Sequence, residues 1–126
     1  MNNYLDNIQK LTLENKNFRK VLFTGKHTQL VIMSLLPGEE IGLEIHPDTD
    51  QFFRIEQGQA KIIMDGQEFF AEDDYAIIIT AGTEHNVINA SETEVLKMYT
   101  LYSPPNHPEG TIHKNKEEAD LYERSH

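Results

Sequence analysis

Residues 60–71 read AKIIMDGQEFFA, two short apolar runs on either side of Asp65-Gly66. A two-residue type I′ turn requires positive φ at both central positions, and Asp-Gly is among the pairs that adopt it most readily. The flanking runs are rich in β-branched and aromatic residues, which favour extended strands. This stretch therefore predicts a tight β-hairpin.

The same pattern continues in both directions from the hairpin. Short β-branched and aromatic segments alternate with turn residues, and there is little 3.6-residue periodicity. The predicted strands are FRKVLF (18–23), TQLVIMSL (28–35), IGLEIH (41–46), QFFRIE (51–56), AKIIM (60–64), QEFFA (67–71), YAIIIT (75–80), HNVIN (85–89) and EVLKMYTLY (94–102). Their number and spacing are typical of a sandwich or barrel, so the predicted fold class is all-β. The aromatic stripe Phe52, Phe53, Phe69 and Phe70 is expected in the barrel core.

The length of the chain, 126 residues, suits one hydrophobic core and is short for two. We therefore expect a single domain over residues 1–126, with the barrel at about 18–102 and a tail with a helix at 103–126. Short helices are predicted at Tyr4–Leu11 and Lys116–Arg124.

Composition excludes several classes of partner. Eleven Lys and Arg against 21 Asp and Glu give a net charge of -10, which repels phosphate backbones and anionic lipid surfaces. No nucleic-acid or membrane partner is expected. The chain has no cysteine, so a metal would need imidazole, carboxylate or amide ligands. The N-terminal residues contain no unbroken apolar segment, and we expect a cytoplasmic protein.

Metal-ligating side chains fall near the ends of predicted strands. Glu44 and His46 are two residues apart, so in a strand both point to one face. Pro47 ends that strand, and a hairpin over the PDTD turn would bring Gln51 beside them. His85 opens the strand HNVIN and is the fourth candidate.

The spacing of these residues resembles the first motif of the cupin superfamily, in particular small single-domain proteins of the cupin-2 type. That motif begins with Pro-Gly, here residues 37–38, and places two His at the positions of Glu44 and His46. Its Glu falls on Gln51 and its closing glycine on Gly58. The resemblance implies a double-stranded β-helix (jelly-roll barrel) that holds a divalent metal at its mouth.

The second motif of the superfamily is also matched. Gly82, His85 and Asn89 are in register with it, whereas Asp74 stands where Gly is usual and Thr80 where Pro is usual. The resemblance extends to a subgroup of small bacterial cupins that is loosely labelled mannose-6-phosphate isomerase-like. Barrels of this kind are commonly dimers, so a homodimer is expected, with FRKVLF as the suspected contact.

The ligand set implied by the resemblance departs from the usual three His and one Glu, because here it is Glu44, His46, Gln51 and His85. Both sets bring one carboxylate, so the formal charge is the same. An amide in place of an imidazole lowers affinity for copper or nickel, and the expected cofactor is one divalent ion of Mn, Fe, Zn or Ni. Glu44 with the two histidines also forms the two-His-one-carboxylate set of non-haem iron oxygenases.

Three alternatives stay open at these positions. A one-residue bulge would turn Glu44 to solvent. Gln51 has the alternative role of a hydrogen bond to a metal-bound water. Asp50 competes with Gln51 for the inward position, although the alternation from Phe53 and Ile55 favours Gln51.

The expected function is Lewis-acid chemistry on a small polar molecule, of the isomerase or epimerase type, on a sugar-like or hydroxy-carbonyl compound. Glu44 is the candidate catalytic residue, as a proton carrier. A metal dioxygenase and a non-catalytic binding or sensing module are the alternatives.

Lys20, Lys26 and Arg54 are scattered and indicate no phosphate pocket. His107 and His113, in the Pro-rich tail, are expected in solvated coil, with a lid over the barrel mouth or a contact with a partner chain as the alternatives. Tyr99 and Tyr102 are expected in the core or rim, with a tyrosine that lines the pocket as proton donor as the alternative.

Overall fold

Nine strands and two helices are seen in the computed structural model, which describes residues 3–125. The elements in chain order are α1 (Ile8–Glu14), β1 (Arg19–Thr24), β2 (Gln29–Leu35), β3 (Asp50–Gln57), β4 (Gln59–Met64), β5 (Gln67–Glu72), β6 (Ala76–Ile79), β7 (His85–Asn89), β8 (Leu96–Ser103), β9 (Ile112–His113) and α2 (Lys116–Ser125). Within these residues, no helix is long and apolar enough to cross a membrane.

The strands form two antiparallel sheets. One has six strands in the order β6-β3-β8-β2-β1-β9, and the other has three in the order β5-β4-β7. One hydrophobic cluster joins the two sheets, with Phe53 and Met98 from the first and Ile62 and Val87 from the second, each at most 1% exposed. The prediction of an all-β double-stranded β-helix with short terminal helices is thus confirmed.

The Asp65-Gly66 hairpin has the predicted geometry. Met64 pairs with Gln67 across a two-residue loop, and Asp65 and Gly66 have φ of 48° and 82°. Both values are positive, as a type I′ turn requires. The hairpin therefore follows from local sequence alone.

The predicted strand IGLEIH at 41–46 is wrong. Of this segment only Glu44 pairs, in an isolated bridge with His85 of β7, and Glu40 just before the segment makes a second isolated bridge with Ile88. The physical reason is Gly42, whose φ of 112° breaks the extended backbone and whose amide donates to Asn86 Oδ1 instead of a strand partner. The short strand β9, in the tail, was missed.

Two further expectations need correction. The first helix lies at Ile8–Glu14 and not at Tyr4–Leu11, because the Asn7 side chain accepts from the Lys10 amide and caps it there. Of the aromatic stripe, Phe53 is in the core, whereas Phe69 and Phe70 lie on β5 and are 44% and 68% exposed. Phe52 is half-buried and also lies outside the core cluster, with its ring 6.2 Å from that of Tyr99. The segment FRKVLF pairs with β2 on one side and β9 on the other. The homodimer stays a prediction.

Gly58 joins β3 to β4 at a point where a side chain does not fit. Its φ is 112°, and an added Cβ would lie 3.0 Å from Leu96 Cα and from the Val95 carbonyl oxygen. We expect Gly58→Ala to lower the free energy of unfolding by about 1–2 kcal/mol, from left-handed strain alone, and by more if the backbone cannot shift. Urea unfolding measures this. Gly66→Ala, with open space around its Cβ, controls for the backbone strain, and an equal loss in both variants would contradict the crowding at Gly58.

Candidate metal site

The segment that carries Glu44 and His46 is fixed to the barrel by backbone hydrogen bonds. The Glu44 amide donates to the His85 carbonyl at 2.8 Å, and the His85 amide donates back to the Glu44 carbonyl at 2.9 Å. The Gly82 amide donates to the His46 carbonyl at 2.9 Å. These bonds bring the two sequence motifs side by side although no continuous strand forms.

Glu44, His46 and His85 converge at one end of the barrel. One ligand atom from each lies within 4.8 Å of the others. Glu44 Oε2 is 3.9 Å from His46 Nε2, and the two imidazole rings are 5.2 Å apart between centroids. The alternative in which a bulge turns Glu44 fully to solvent does not occur, since this side chain is 26% exposed. Three of the four predicted ligand residues therefore meet.

The two histidines present unpartnered nitrogens to this space. His85 Nδ1 lies 2.9 Å from the Thr83 carbonyl, which can only accept, so Nδ1 carries the proton and Nε2 keeps its lone pair. Nε2 of both His46 and His85 is buried without a hydrogen-bond partner. Buried polar atoms normally have a hydrogen-bond partner. A ligating histidine usually donates a hydrogen bond from its other ring nitrogen, as His85 Nδ1 does to the Thr83 carbonyl.

Gln51 lies at the start of β3 and is 2% exposed, whereas Asp50 is exposed and accepts from the Ala81 amide. The expected preference for Gln51 as the inward residue agrees with this burial. Its Nε2 donates to Thr100 Oγ1 at 3.3 Å, and its Oε1 is buried without a partner. The free atom is thus the carbonyl oxygen, the only amide atom that can ligate a cation. Its direct ligation stays a prediction.

Burial shifts the pKa values of Glu44 and His46 toward their neutral forms. Burial raises the pKa of Glu44, and the nearby positive charge of Arg19 is the largest opposing effect. Burial lowers the pKa of His46, with His85 and Arg19 adding to it. His46 is therefore neutral at pH 7, which is the form that ligates a metal. The imidazoles of His46 and His85, with one carboxylate that is costly to bury alone, fit a divalent ion.

A tyrosine and a tail histidine border the cluster. The Tyr102 ring stands edge-on to His46 at 5.9 Å, and its hydroxyl lies 3.2 Å from His107 Nε2. Burial raises the pKa of Tyr102 and lowers the pKa of His107 to about 3, so the pair is neutral at pH 7. The tail is thus not solvated coil at His107. Gln29 fastens it, donating to the His107 carbonyl at 2.7 Å and accepting from the His107 amide at 2.9 Å.

Arg19 and His113 are the functional candidates that sequence reasoning missed. Arg19 is 3% exposed and its Nη1 donates to His113 Nδ1 at 3.1 Å, while His113 is 6% exposed and also contradicts the expectation of solvated coil. The signal for Arg19 was available, because it alternates with Val21 and so shares the inward face of β1. Asn89, in contrast, is structural, since its amide donates to the Leu35 and Glu94 carbonyls.

A cavity of about 240 Å³ opens beside Glu44. It is lined by Arg19, Ile41, Gly42, Leu43, Glu44, Lys116, Ala119, Asp120 and Glu123. One wall is therefore helix α2, and the other is the segment that carries the metal-ligand candidates. A larger cavity of about 440 Å³, lined by β4, β5 and neighbouring loops, contains no histidine and only one carboxylate, Glu72, among the described residues that line it. Of these two cavities, the smaller is the one lined by a metal-ligand candidate, Glu44.

Two antiparallel sheets that close around a core, with imidazoles and a carboxylate converging at one end, define a cupin barrel. A family model described as a cupin domain matches residues 31–102, more than half of the chain, so the chain belongs to the cupin family. This confirms the resemblance to the cupin-2 type.

Two sequence relatives and one solved structure match most of this chain. The chain is 51% identical over 122 residues to the uncharacterized protein YrkC of Bacillus subtilis (strain 168), a match that covers 92% of this chain and 65% of that protein. The chain thus spans slightly less than two thirds of YrkC. An uncharacterized protein of Acanthamoeba polyphaga mimivirus is 47% identical over 113 residues, covering 86% of this chain and 70% of that protein. The crystal structure of BH2720 from Bacillus halodurans has a TM-score of 0.90 and 44% identity, covering 94% of this chain and 93% of that one.

Proposed function

We propose that this protein is a metal-dependent enzyme for a small hydroxy-carbonyl or sugar-like compound, of the isomerase or epimerase type. Glu44, His46 and His85 hold one divalent ion, of Mn, Fe, Zn or Ni, and Gln51 supplies a fourth oxygen. The observation that carries the proposal is the pair of buried, unpartnered Nε2 atoms of His46 and His85 beside the Glu44 carboxylate. A purely structural barrel gains nothing from leaving these atoms unpaired.

A divalent ion bound there supplies Lewis-acid polarisation of a substrate oxygen. The protein's own groups move protons. Tyr102 keeps its hydroxyl proton at pH 7, because burial raises its pKa, and His107 Nε2 at 3.2 Å fixes the direction of that hydroxyl. Glu44, whose pKa is raised by burial, is the proton acceptor within reach of the cavity. A carboxylate base that lines the cavity suits proton transfer next to a polarised carbonyl.

A metal dioxygenase is the second candidate. It is favoured by the composition of the cluster, since two histidines and one carboxylate are the ligand types of non-haem iron oxygenases. A non-catalytic small-ligand module remains the alternative outside the enzymes, because this fold serves many roles. An activity of the mannose-6-phosphate isomerase type would need a site for the substrate phosphate. In the cavity beside Glu44, the cations available for such a site are Arg19 and Lys116.

The test begins with elemental analysis of protein purified without an affinity tag. We expect near-stoichiometric Mn, Fe, Zn or Ni, or uptake of one such ion on reconstitution. The metal-loaded protein is then offered hydroxy-carbonyl compounds and sugars in deuterated water, and proton exchange at carbon is followed by NMR. Exchange that requires the metal supports the isomerase type, and oxygen consumption with ferrous iron supports the dioxygenase. If the protein takes up no metal, the proposal is wrong. If it takes up metal but shows neither proton exchange nor oxygen consumption, the binding-module alternative is favoured.

A further inference from the structure

Arg19 is a buried cation that makes no direct ion pair with a carboxylate among residues 3–125. Its side chain lies in β1 and its residue is 3% exposed, yet within residues 3–125 no carboxylate comes within 4.0 Å of it. In the same part of the chain, the only hydrogen bond of its side chain is the one that Nη1 donates to His113 Nδ1, and its Nε is buried without a partner. Because a guanidinium stays protonated in proteins, it remains charged here.

Such an arrangement is costly unless something else pairs with it. An unpaired buried charge is among the most destabilising features that a protein can contain, whereas a paired and hydrogen-bonded one is tolerated. His113 does not compensate the charge of Arg19, because an imidazole carries no negative charge. Burial, and to a smaller extent the positive charge of Arg19, lowers the pKa of His113. The Phe18 ring, 5.4 Å from Arg19 Cζ, offers a cation–π contact, and Glu44 acts on Arg19 from beyond 4.0 Å, but neither forms a hydrogen bond with the guanidinium. The guanidinium therefore keeps hydrogen-bonding capacity that the described residues do not use.

Arg19 also lines the cavity beside Glu44, together with helix α2. The ionisable groups of that lining are Arg19, Lys116, Glu44, Asp120 and Glu123, two cations and three carboxylates, which sum to -1. Lys116 is already engaged, with Nζ 3.0 Å from Asp120 Oδ1 and 2.8 Å from the Ile41 carbonyl. A divalent ion on Glu44 changes the sum to +1. The metal-loaded cavity thus attracts an anion, and Arg19 is the cation of this lining left to pair with it.

We propose that Arg19 is a substrate-binding residue that pairs with the carboxylate of a small organic acid seated between the metal cluster and helix α2. The inference rests on the proposed metal site and names the substrate class, a hydroxy or oxo acid of a few carbon atoms. A planar guanidinium matches a carboxylate better than a compact ammonium does. The volume of about 240 Å³ limits the ligand to this size. Exposed Glu123, at the rim, repels the same carboxylate.

The test is calorimetry on zinc-loaded protein with pyruvate, lactate and malonate, each compared with its neutral amide. We expect the acids to bind at least about tenfold more tightly than the amides. Arg19→Gln removes that preference, and Arg19→Lys keeps part of it. Arg54→Gln controls for the loss of a cation, because Arg54 pairs with Glu56 and Asp74 away from the cavity.

A second variant keeps the test valid if Arg19→Gln does not fold. Glu123→Gln, at an exposed position, removes a repulsive charge and is expected to tighten acid binding about two- to threefold, a gain that misfolding does not mimic. Glu117→Gln, exposed on the same helix but outside the cavity lining, is expected to bind as the wild type does.

Zinc content, measured on the same samples, separates the two levels of failure. If the wild type binds no zinc, the metal site and the inference both fall. If it binds zinc but does not prefer acids to amides, only the inference falls. The inference also falls, with the metal site intact, if Arg19→Gln and Arg54→Gln bind acids alike, or if Glu123→Gln and Glu117→Gln do not differ.

Discussion

Replacing His85 with alanine is expected to weaken metal binding by more than about 100-fold, since loss of even a supporting contact to a ligating histidine costs about 10–100-fold. The variant removes one of the two unpartnered Nε2 atoms and leaves the Glu44 and His46 side chains in place. Because His85 is 3% exposed, a small loss of folding stability accompanies the change. Competition with a chromophoric chelator measures the affinity, and elemental analysis measures the content as purified.

The matched control for His85 is His27→Ala, a histidine of the β1–β2 loop that is exposed. It changes the same residue type without touching the cluster, and we expect unchanged metal content and affinity. Equal metal content in both variants would remove His85 from the site. Loss of metal in both would point to binding by scattered surface imidazoles.

Glu44→Gln is expected to act in opposite directions on metal binding and on the stability of the metal-free protein. The carboxylate is the only anionic member of the cluster, so its loss weakens metal affinity by about 10–100-fold. In metal-free protein the same change removes a partly buried charge whose pKa burial raises. We expect the variant to be more stable than the wild type at pH 7.5 by about 1 kcal/mol, the typical size of a single-substitution effect.

The pH dependence of that gain has a definite sign. A carboxyl group whose pKa is raised in the folded state binds more protons folded than unfolded, so stability falls as pH rises through the unfolded pKa of 4.5. The advantage of Glu44→Gln in metal-free protein therefore appears at pH 7.5 and disappears near pH 4. Urea unfolding at both pH values measures it. Glu84→Gln, at the exposed neighbour of His85, is the control, and a pH-independent effect of Glu44→Gln would contradict the raised pKa of Glu44.

The parts of the fold that could be predicted are those with local causes. The Asp65-Gly66 turn needs only the φ preferences of two residues, and the alternating segments around it specify strands by themselves. The strand predicted at 41–46 does not form, although its side chains alternate as in a strand, because Gly42 adopts φ of 112°. Glycine tolerates that conformation, and the side-chain pattern does not reveal it. The prediction that Phe70 lies in the core is wrong because the hydrophobicity of a residue does not indicate which face of a sheet is covered.

The candidate site divides in the same way. The spacing of Glu44, His46 and His85 follows a motif and could be read from the chain, and the structure does bring these residues together. The positions of His107 and His113 could not, because each depends on contacts with residues far away in sequence. His107 is held by Gln29, 78 residues away, and His113 contacts Arg19, 94 residues away. A Pro-rich tail looks like coil until its partners are known.

The two halves of the proposed site come from different stretches of the chain. Glu44, His46, Gln51 and His85 all lie within residues 31–102, the region shared with the cupin family, whereas Arg19 precedes it and helix α2 follows it. In the proposed roles, reactivity lies in the shared region and selectivity in the terminal segments. Grafting the termini of one such protein onto the barrel of another is therefore expected to change the substrate while leaving the metal ligands undisturbed.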